Sequence, residues 1–293
     1  MKLLILGGAG MLGHKLWQLA GGRKETWATV RDARALRFDV LDPTRLVPGV
    51  QAEQFDTVVR ALASVRPDVV VSCIGIVKQR GEAKDPLASI TVNSLFPHRL
   101  AALCAAAGAR MIHISTDCVF AGRTGGYRES DEPDASDLYG RSKQLGEVGG
   151  PGALTLRTSI IGRELATAQG LVEWFLAQKG HAPGFTKAVF SGLTTIELSH
   201  VILRVMESHE GLEGIYHVAA NPITKYDLLV LLNRAYGRGL TIEPDESVRI
   251  DRSLDGAQFR EATGYQAPDW PTMVAAMAAD ETPYDRWRER HAR

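Results

Sequence analysis

Cysteine is scarce in this chain: three residues among 293, Cys73, Cys104 and Cys118. All three lie in apolar settings, and an odd number fits small buried side chains in a reducing compartment better than a disulfide framework. None has the spacing of a metal site, and the eight histidines are scattered without an HExxH or paired pattern, so no metal is expected. No apolar run reaches the ~18 residues that a membrane-spanning helix needs, and Met1-Lys2 leads straight into a short strand instead of a signal peptide. Excess charge of either sign is missing as well: 34 Lys+Arg balance 34 Asp+Glu, which leaves no global pull towards nucleic acid or an anionic membrane. Internal repeats and low-complexity tracts are absent. These absences predict a soluble, cytoplasmic protein without membrane insertion or nucleic acid, long enough for one large α/β domain or two modest ones.

What is present begins with Lys2–Leu6 (KLLIL), a continuous apolar run of the kind found in a central parallel strand covered on both faces. Behind it, Gly7-Gly8-Ala9-Gly10-Met11-Leu12-Gly13 satisfies both G-x-G-x-x-G, from Gly8, and G-x-x-G-x-x-G, from Gly7. Glycine permits a tight turn, a bare backbone for a pyrophosphate and close helix packing, and the helix that follows offers free N–H groups and partial positive charge. Strand, glycine turn and helix in that order predict a dinucleotide site at Gly7, Gly10, Met11, Leu12 and Gly13. A second strand over residues 26–30 ends at Arg31-Asp32, about where a ribose is read. A basic residue there accommodates the 2′-phosphate of NADP, and an acidic one binds the 2′-hydroxyl of NAD. Arg31, with Arg34 and Arg37 behind it, favours NADP(H); Asp32 facing the ribose is the reading that favours NAD(H). Residues 66–75 form a further apolar strand whose end, Cys73-Ile74-Gly75, is expected beside the cofactor riboses.

The stretch 111–147, MIHISTDCVFAGRTGGYRESDEPDASDLYGRSKQLGE, carries the chemistry. An alternating apolar strand ends on two hydroxyls, Ser115 and Thr116, and Tyr139-Gly-Arg-Ser-Lys143 opens a helix on which Tyr139 and Lys143 share one face. A free phenol titrates near ~10, and an adjacent ammonium favours its ionised form. Three units of depression would need roughly 4 kcal/mol, more than one partly screened lysine supplies. A second cation is therefore expected, as an oxidised nicotinamide would be.

A strand-end hydroxyl followed by Tyr-x-x-x-Lys resembles the short-chain dehydrogenase/reductase family. The fuller series, Ser115-Thr116-Asp117-Cys118-Val119-Phe120, Tyr127-Arg128-Glu129, Tyr139 to Lys143 and Gly146-Glu147, is similar to the dTDP-4-dehydrorhamnose reductases among its extended, sugar-nucleotide members. This resemblance implies an α/β fold: a Rossmann-type doubly wound parallel sheet over residues 1–158, rejoined by 190–219, with a smaller C-terminal α/β substrate-binding domain from 159–189 and 220–293. It implies NADPH-dependent reduction of a keto group on a nucleotide-linked, 4-keto-6-deoxy sugar. Tyr139 would give the proton, Thr116 would bind the developing alkoxide, and Lys143 would hold the nicotinamide ribose. Asp56 would lie near the adenine, with Asp39 competing for that role, and Asn93 would support the lysine. Asp117, Val119, Phe120 and Arg157 would meet the substrate. Arg163, Lys187, Arg249 and Arg252 are further candidates for a diphosphate, because Arg matches phosphate oxygens bidentately. A homodimer is compatible with the resemblance.

Two departures narrow the chemistry. Sugar-nucleotide 4,6-dehydratases carry a glutamate where Cys118 stands, so elimination of water is not expected. Ile160 follows Arg157-Thr-Ser159 where the dTDP-4-dehydrorhamnose reductases have an aromatic, which sets the sugar apart while keeping the keto-sugar class. A sugar-nucleotide epimerase shares the tyrosine and lysine and is the alternative. A non-catalytic NADP-binding regulatory subunit is an alternative of another class, although such members can lose a catalytic side chain and here all three are present. Beyond residue 158, periodicity predicts a helix over 171–178, a loop over 181–189, a strand over 215–219, a helix over 225–236 and a frayed helix over 283–293. Trp174 and Phe185 are expected in the core in preference to stacking on a base or sugar.

Overall fold

Seven parallel strands form the main sheet of the computed structural model, which describes residues 1–21, 25–32, 42–77, 84–165 and 167–286. Arg34, Arg37 and Asp39, and the final residues of the expected frayed helix, lie outside the described residues. The strands in chain order are β1 (Lys2–Leu6), β2 (Glu25–Val30), β3 (Leu46–Pro48), β4 (Val69–Ser72), β5 (Arg110–Thr116) and β6 (Ala153–Thr158). After β7 (Ile160–Ile161), β8 (His181–Phe190) and β9 (Leu193–Thr194), which pair elsewhere, β10 (Gly214–His217) returns to the sheet edge. The spatial order is β3-β2-β1-β4-β5-β6-β10, with all pairs parallel. The order reverses between β1 and β4, and in such a sheet ligands bind beyond the carboxyl ends of the strands at that switch point.

Alternation along the buried strands supplies two cores. Leu3, Ile5, Val69, Val71 and Ile112 point to one layer, whereas Leu4, Leu6, Val70 and Met111 point to the other. The first layer is covered by α1 (Met11–Ala20), which lies against α7 (Thr195–Ser208). The second is covered by α2 (Phe55–Val65), whose Val58, Ala61, Leu62 and Val65 repeat at helical spacing, and by α4 (Phe96–Ala107). Between β4 and α4 come a short α3 (Pro86–Ser89) and a π-helical turn, Ile90–Leu95. The helix of the chemical motif, α5 (Leu138–Leu145), sits beside that turn. A short α6 (Leu171–Leu176) follows β7.

A second sheet is built from β11 (Ile223–Thr224), β8 and β12 (Thr241–Asp251) in the order β11-β8-β12. Helix α8 (Lys225–Ala235), capped by the Thr224 hydroxyl, packs on β8, and α9 (Ala257–Thr263) and α10 (Trp270–Ala278) follow in the chain. Residues 181–189, expected as loop, are therefore strand. The buried positions do alternate, Ala182, Gly184, Ala188 and Phe190, but two alanines and a glycine give no apolar signal in sequence. Trp174 is among the exposed large apolar side chains, contrary to the core role expected of it. No helix among the described residues is long and apolar enough to cross a membrane.

The expectation of fraying after residue 283 also fails at its start. Tyr284 is 2% exposed, and its hydroxyl meets His14 Nε2 at 2.8 Å while His14 Nδ1–H donates to the Gly10 carbonyl at 2.8 Å. The neighbouring Lys15 ammonium pairs with Asp280 at 2.6 Å. Burial of an apolar ring together with a closed set of hydrogen bonds outweighs the end-fraying tendency of a charged tail.

Burial holds His14 and His217 neutral, with pKa values lowered to about 4, and pushes His113 well below its ordinary value. Between pH 6.5 and about 4 the unfolded chain binds protons at these rings that the folded chain refuses, so stability must rise with pH there and fall on acidification. Urea unfolding is expected to lose about 1.4 kcal/mol per pH unit for each such histidine below pH 6.5. His14→Gln should reduce that slope; a midpoint that does not move between pH 7 and 5 would contradict the assignment.

Candidate active site

The glycine turn closes the carboxyl end of β1. Gly7 adopts φ +87°, its N–H bonds to Thr29 Oγ1 at 3.2 Å, and the Gly8 N–H donates to the Thr29 carbonyl at 2.8 Å. A β-carbon on Gly13 would collide with the Gly7 carbonyl, so only glycine lets α1 start this close to the turn. Gly10 caps α1 without a side-chain bond, and the first amide groups, from Met11 and Leu12 onwards, face the turn. Cys73, Ile74 and Gly75 leave β4 alongside, with Ile74 and Cys73 against Gly7. The cradle thus has the bare backbone that a dinucleotide pyrophosphate needs. Arg31 stands exposed just past β2, with Glu53 at a loose 3.9 Å. Asp56 lies exposed in the first turn of α2 and pairs with Arg60 at 2.8 Å.

Thr116 ends β5 beyond the same edge of the sheet. Its hydroxyl oxygen accepts from the Cys118 N–H at 3.1 Å, capping the 3-10 turn Asp117–Val119, and the hydroxyl meets Asp117 Oδ1 at 3.2 Å. Helix α5 comes down on this turn because Asp137 accepts from the Gly140 N–H at 2.8 Å and because any side chain at 140 would strike the Cys118 carbonyl and Ala135. Tyr139, half-buried in the first helical turn, stands beside the Thr116 hydroxyl, which acts on its phenol. Burial pushes its phenol up, the Cys118 and Asp117 neighbourhood adds to that, and the Thr116 hydroxyl opposes it.

Lys143, one turn later, is 5% exposed and donates to the Ile114 carbonyl at 2.8 Å, with His113 Nε2 at 3.4 Å. Burial lowers its pKa to about 8 against the pull of Glu147. The ammonium is turned into the strand, so the expected depression of the phenol by Lys143 is not met within the protein. Tyr139 is instead held in its protonated, donor form.

Asn93 ties the pieces together from the π-helical turn. Its amide accepts from the Ile76 N–H at 2.9 Å, donates to the Ile76 carbonyl at 3.0 Å, and reaches Ser142 Oγ on α5 at 3.2 Å. Asn93 thereby joins the chain after β4 to Ser142, the neighbour of Lys143 on α5. A π-turn is what brings the amide inward while the flanking helices continue.

Three expected substrate contacts turn inward. Val119 and Phe120 are fully buried, and Phe120 stacks on Tyr127 at 4.2 Å between ring centres, so neither side chain is presented to a ligand. Arg157 projects into the protein from β6: its guanidinium takes Glu147 bidentately, at 2.8 and 2.7 Å, and meets His217 Nε2 at 3.2 Å. That fork is thereby committed to a carboxylate of the fold. Arg163 likewise pairs with Glu173 and Asp285, and Lys187 with Glu246. Asp117 does stand at the site, buried, with its carboxyl pushed up by burial against the attraction of Lys225 and Arg252. Lys225 at the start of α8 lies over the Phe190 ring at 3.7 Å, and Arg252 donates to the Phe120 carbonyl at 2.8 Å. Lys225 cannot be given a role from the sequence, since it acts on Asp117, far away in the chain. Replacing Arg157 by Met leaves Glu147 buried without its cation, and chemical denaturation should show a loss of about 3–5 kcal/mol. A ligand-only role would leave stability unchanged.

Comparison with known proteins places these elements in a family. The probable low-salt glycan biosynthesis reductase Agl14 of Haloferax volcanii is 30% identical over 266 residues, 83% of this chain and 88% of that protein. A probable dTDP-4,6-dihydroxy-2-methyloxan-3-one 4-ketoreductase of Streptomyces antibioticus is 32% identical over 251 residues, 78% of this chain and 75% of its own. In structure, dTDP-4-dehydrorhamnose reductase from Bacillus anthracis, solved in complex with NADP, superposes with a TM-score of 0.75 at 18% identity, covering 94% of this chain and 98% of that one, a likeness of fold. The family model of the RmlD substrate binding domain matches residues 1–282, from before β1 to just past α10, and the chain belongs to that family.

Proposed function

We propose that this protein is an NADPH-dependent reductase of a keto group on a nucleotide-linked sugar, of the 4-keto-6-deoxy class, acting in deoxysugar or polysaccharide synthesis. The convergence of Thr116, Tyr139 and Lys143 at the carboxyl end of β5, on the sheet edge that also carries the glycine cradle, carries this reading. Relatives named as a 4-ketoreductase and a glycan biosynthesis reductase, and a similar fold solved with NADP, support it.

The residues divide the work. Gly7, Gly10 to Gly13 and Cys73 to Gly75 would hold the dinucleotide, with Arg31 on the 2′-phosphate. Reduced nicotinamide, when bound, supplies a hydride to the carbonyl carbon. Tyr139, whose phenol stays protonated at neutral pH, gives its proton to the oxygen as alkoxide character develops, and the Thr116 hydroxyl donates to the same oxygen. Lys143 orients the ribose. Asp117, set between Lys225 and Arg252, offers hydrogen bonds to sugar hydroxyls. Cys118 supplies no carboxylate beside the sugar, which argues for reduction over elimination of water.

Incubation with NADPH and a panel of nucleotide-linked 4-keto-6-deoxy sugars, followed by nicotinamide absorbance, is expected to show turnover that falls by about 10²–10⁴-fold in Tyr139→Phe. No turnover with any sugar, together with tight NADP binding, would point to the regulatory subunit instead. Arg31→Ala should weaken NADPH much more than NADH, and equal losses would refute the role given to that arginine.

A further inference from the structure

Behind Lys143 lies a polar pair that the mechanism above does not use. Ser72 and His113 are direct neighbours across the parallel pair β4 and β5. Alternation sends both side chains to the layer that contains Val70 and Met111, beneath α4 and α5, and they are 1% and 0% exposed. Among the described residues, Ser72 Oγ and His113 Nδ1 are two of the three buried side-chain polar atoms with no hydrogen-bond partner in the protein. Buried polar atoms are seldom left so, and two of them on facing strand positions suit one ordered water between them. The other ring nitrogen, Nε2, is 3.4 Å from Lys143 Nζ. On the far side, the β6 neighbour of His113 is Thr155, whose hydroxyl is already spent on Val148.

The charges around the ring are few. Helix α5 brings Lys143, the turn after it Glu147, and α4 brings His98, whose own ring bonds the Leu145 carbonyl at 2.7 Å. An imidazolium here would face the Lys143 ammonium in the interior of the protein, and burial and Lys143 together keep His113 neutral. A neutral ring has one donor and one acceptor. An ammonium can only donate, so the nitrogen facing Lys143 must be the acceptor and the proton must sit on Nδ1, on the Ser72 side.

We propose that His113 is a positioning residue for Lys143: with Nδ1–H turned towards Ser72, its Nε2 and the Ile114 carbonyl together accept two of the three ammonium protons and leave the third for the cofactor side. This rests on the reductase reading for its consequence in catalysis, although the tautomer itself does not. The lysine of the motif is then a directed donor, with its rotation about the Cε–Nζ bond fixed from beneath the sheet. The acceptor also favours the ammonium over the amine, against the burial that lowers Lys143.

Two measurements decide the matter. Nitrogen-15 NMR of the His113 ring in the full-length protein should report the neutral Nδ1–H form from pH 6 to 9, with the Nε2 signal moving when Lys143→Met removes the donor. A proton on Nε2, or a ring that titrates in that range, overturns the proposal whether or not any sugar is turned over. In the reduction assay, His113→Met, which has no nitrogen acceptor, is compared with His113→Gln, whose amide oxygen can reach the same place. His113→Met is expected to lower kcat about tenfold at neutral pH, with the sugar KM within twofold. It should also move the alkaline limb of kcat expected from Lys143 towards acid, and His113→Gln should recover most of both effects. Thermal unfolding and NADPH binding of each variant separate misfolding from this outcome. An unmoved alkaline limb in a folded His113→Met, or a glutamine no better than methionine, would sink the idea.

Discussion

Lys143 donating to the Ile114 carbonyl from inside the molecule is the interaction on which the site depends. It brings a charged group on α5 to the backbone of β5 immediately before the hydroxyl that ends the strand, so helix and strand end cannot drift apart without stranding a cation in the interior. Everything near it permits the close approach. Gly140 keeps side-chain bulk out of the contact with the 3-10 turn, Ser94 Oγ donates to the Ser142 carbonyl, and Asn93 clasps Ser142 and Ile76 at once. The same contacts that dock the helix therefore set the distance between Tyr139, Thr116 and the cradle, and local packing becomes catalytic geometry.

Just beyond α5, Glu147 anchors the strand end in a similar way. A single buried carboxylate accepts from Ser115 at the strand end, at 2.7 Å, and from both prongs of Arg157 on the next strand. Arg157 in turn meets His217 on the edge strand, whose Nδ1 bonds the Tyr127 carbonyl at 2.9 Å. The chain of contacts runs across β5, β6 and β10 and out to the loop before α5. Replacing such a pair by apolar groups can be neutral, but removing one member leaves a charge that the interior cannot solvate, which makes the network a device for register and position more than for net stability.

The Rossmann half is legible because its strands are buried on both faces. KLLIL and VVVS read as continuous apolar runs, the glycine turn carries its own physical reasons, and Tyr-x-x-x-Lys falls at helical spacing behind a hydroxyl-ended strand. Residues 181–190 are not legible, because alanine and glycine at the buried positions leave no alternation to see, and β12, TIEPDESVRID, is an exposed strand whose charges read as loop. Val119, Phe120 and Arg157 lie in or near the motif and so attract a ligand role, yet side-chain direction is decided by contacts that only the fold brings about, Phe120 against Tyr127 and Arg157 against Glu147 and His217. Lys225 and Arg252 are hidden for the same reason: their meeting with Asp117 exists only once the second sheet has folded over the strand ends.

That dependence on distant chain extends to the cofactor cradle itself. Gly10 has no side chain with which to cap α1, and its carbonyl is held by His14, whose other nitrogen is held by Tyr284, 270 residues later. Lys15, on the next position of the helix, is neutralised by Asp280, and Arg163 joins Asp285 of the same segment to Glu173. An anion-binding helix start must keep its amide groups free for the ligand, so rigidity has to come from its other side. Here the chain's closing segment provides it with an aromatic hydroxyl for the neutral His14 and a carboxylate for Lys15 of the helix. The glycine motif specifies where phosphate can approach, but the stiffness that makes the approach productive is written at the far end of the sequence.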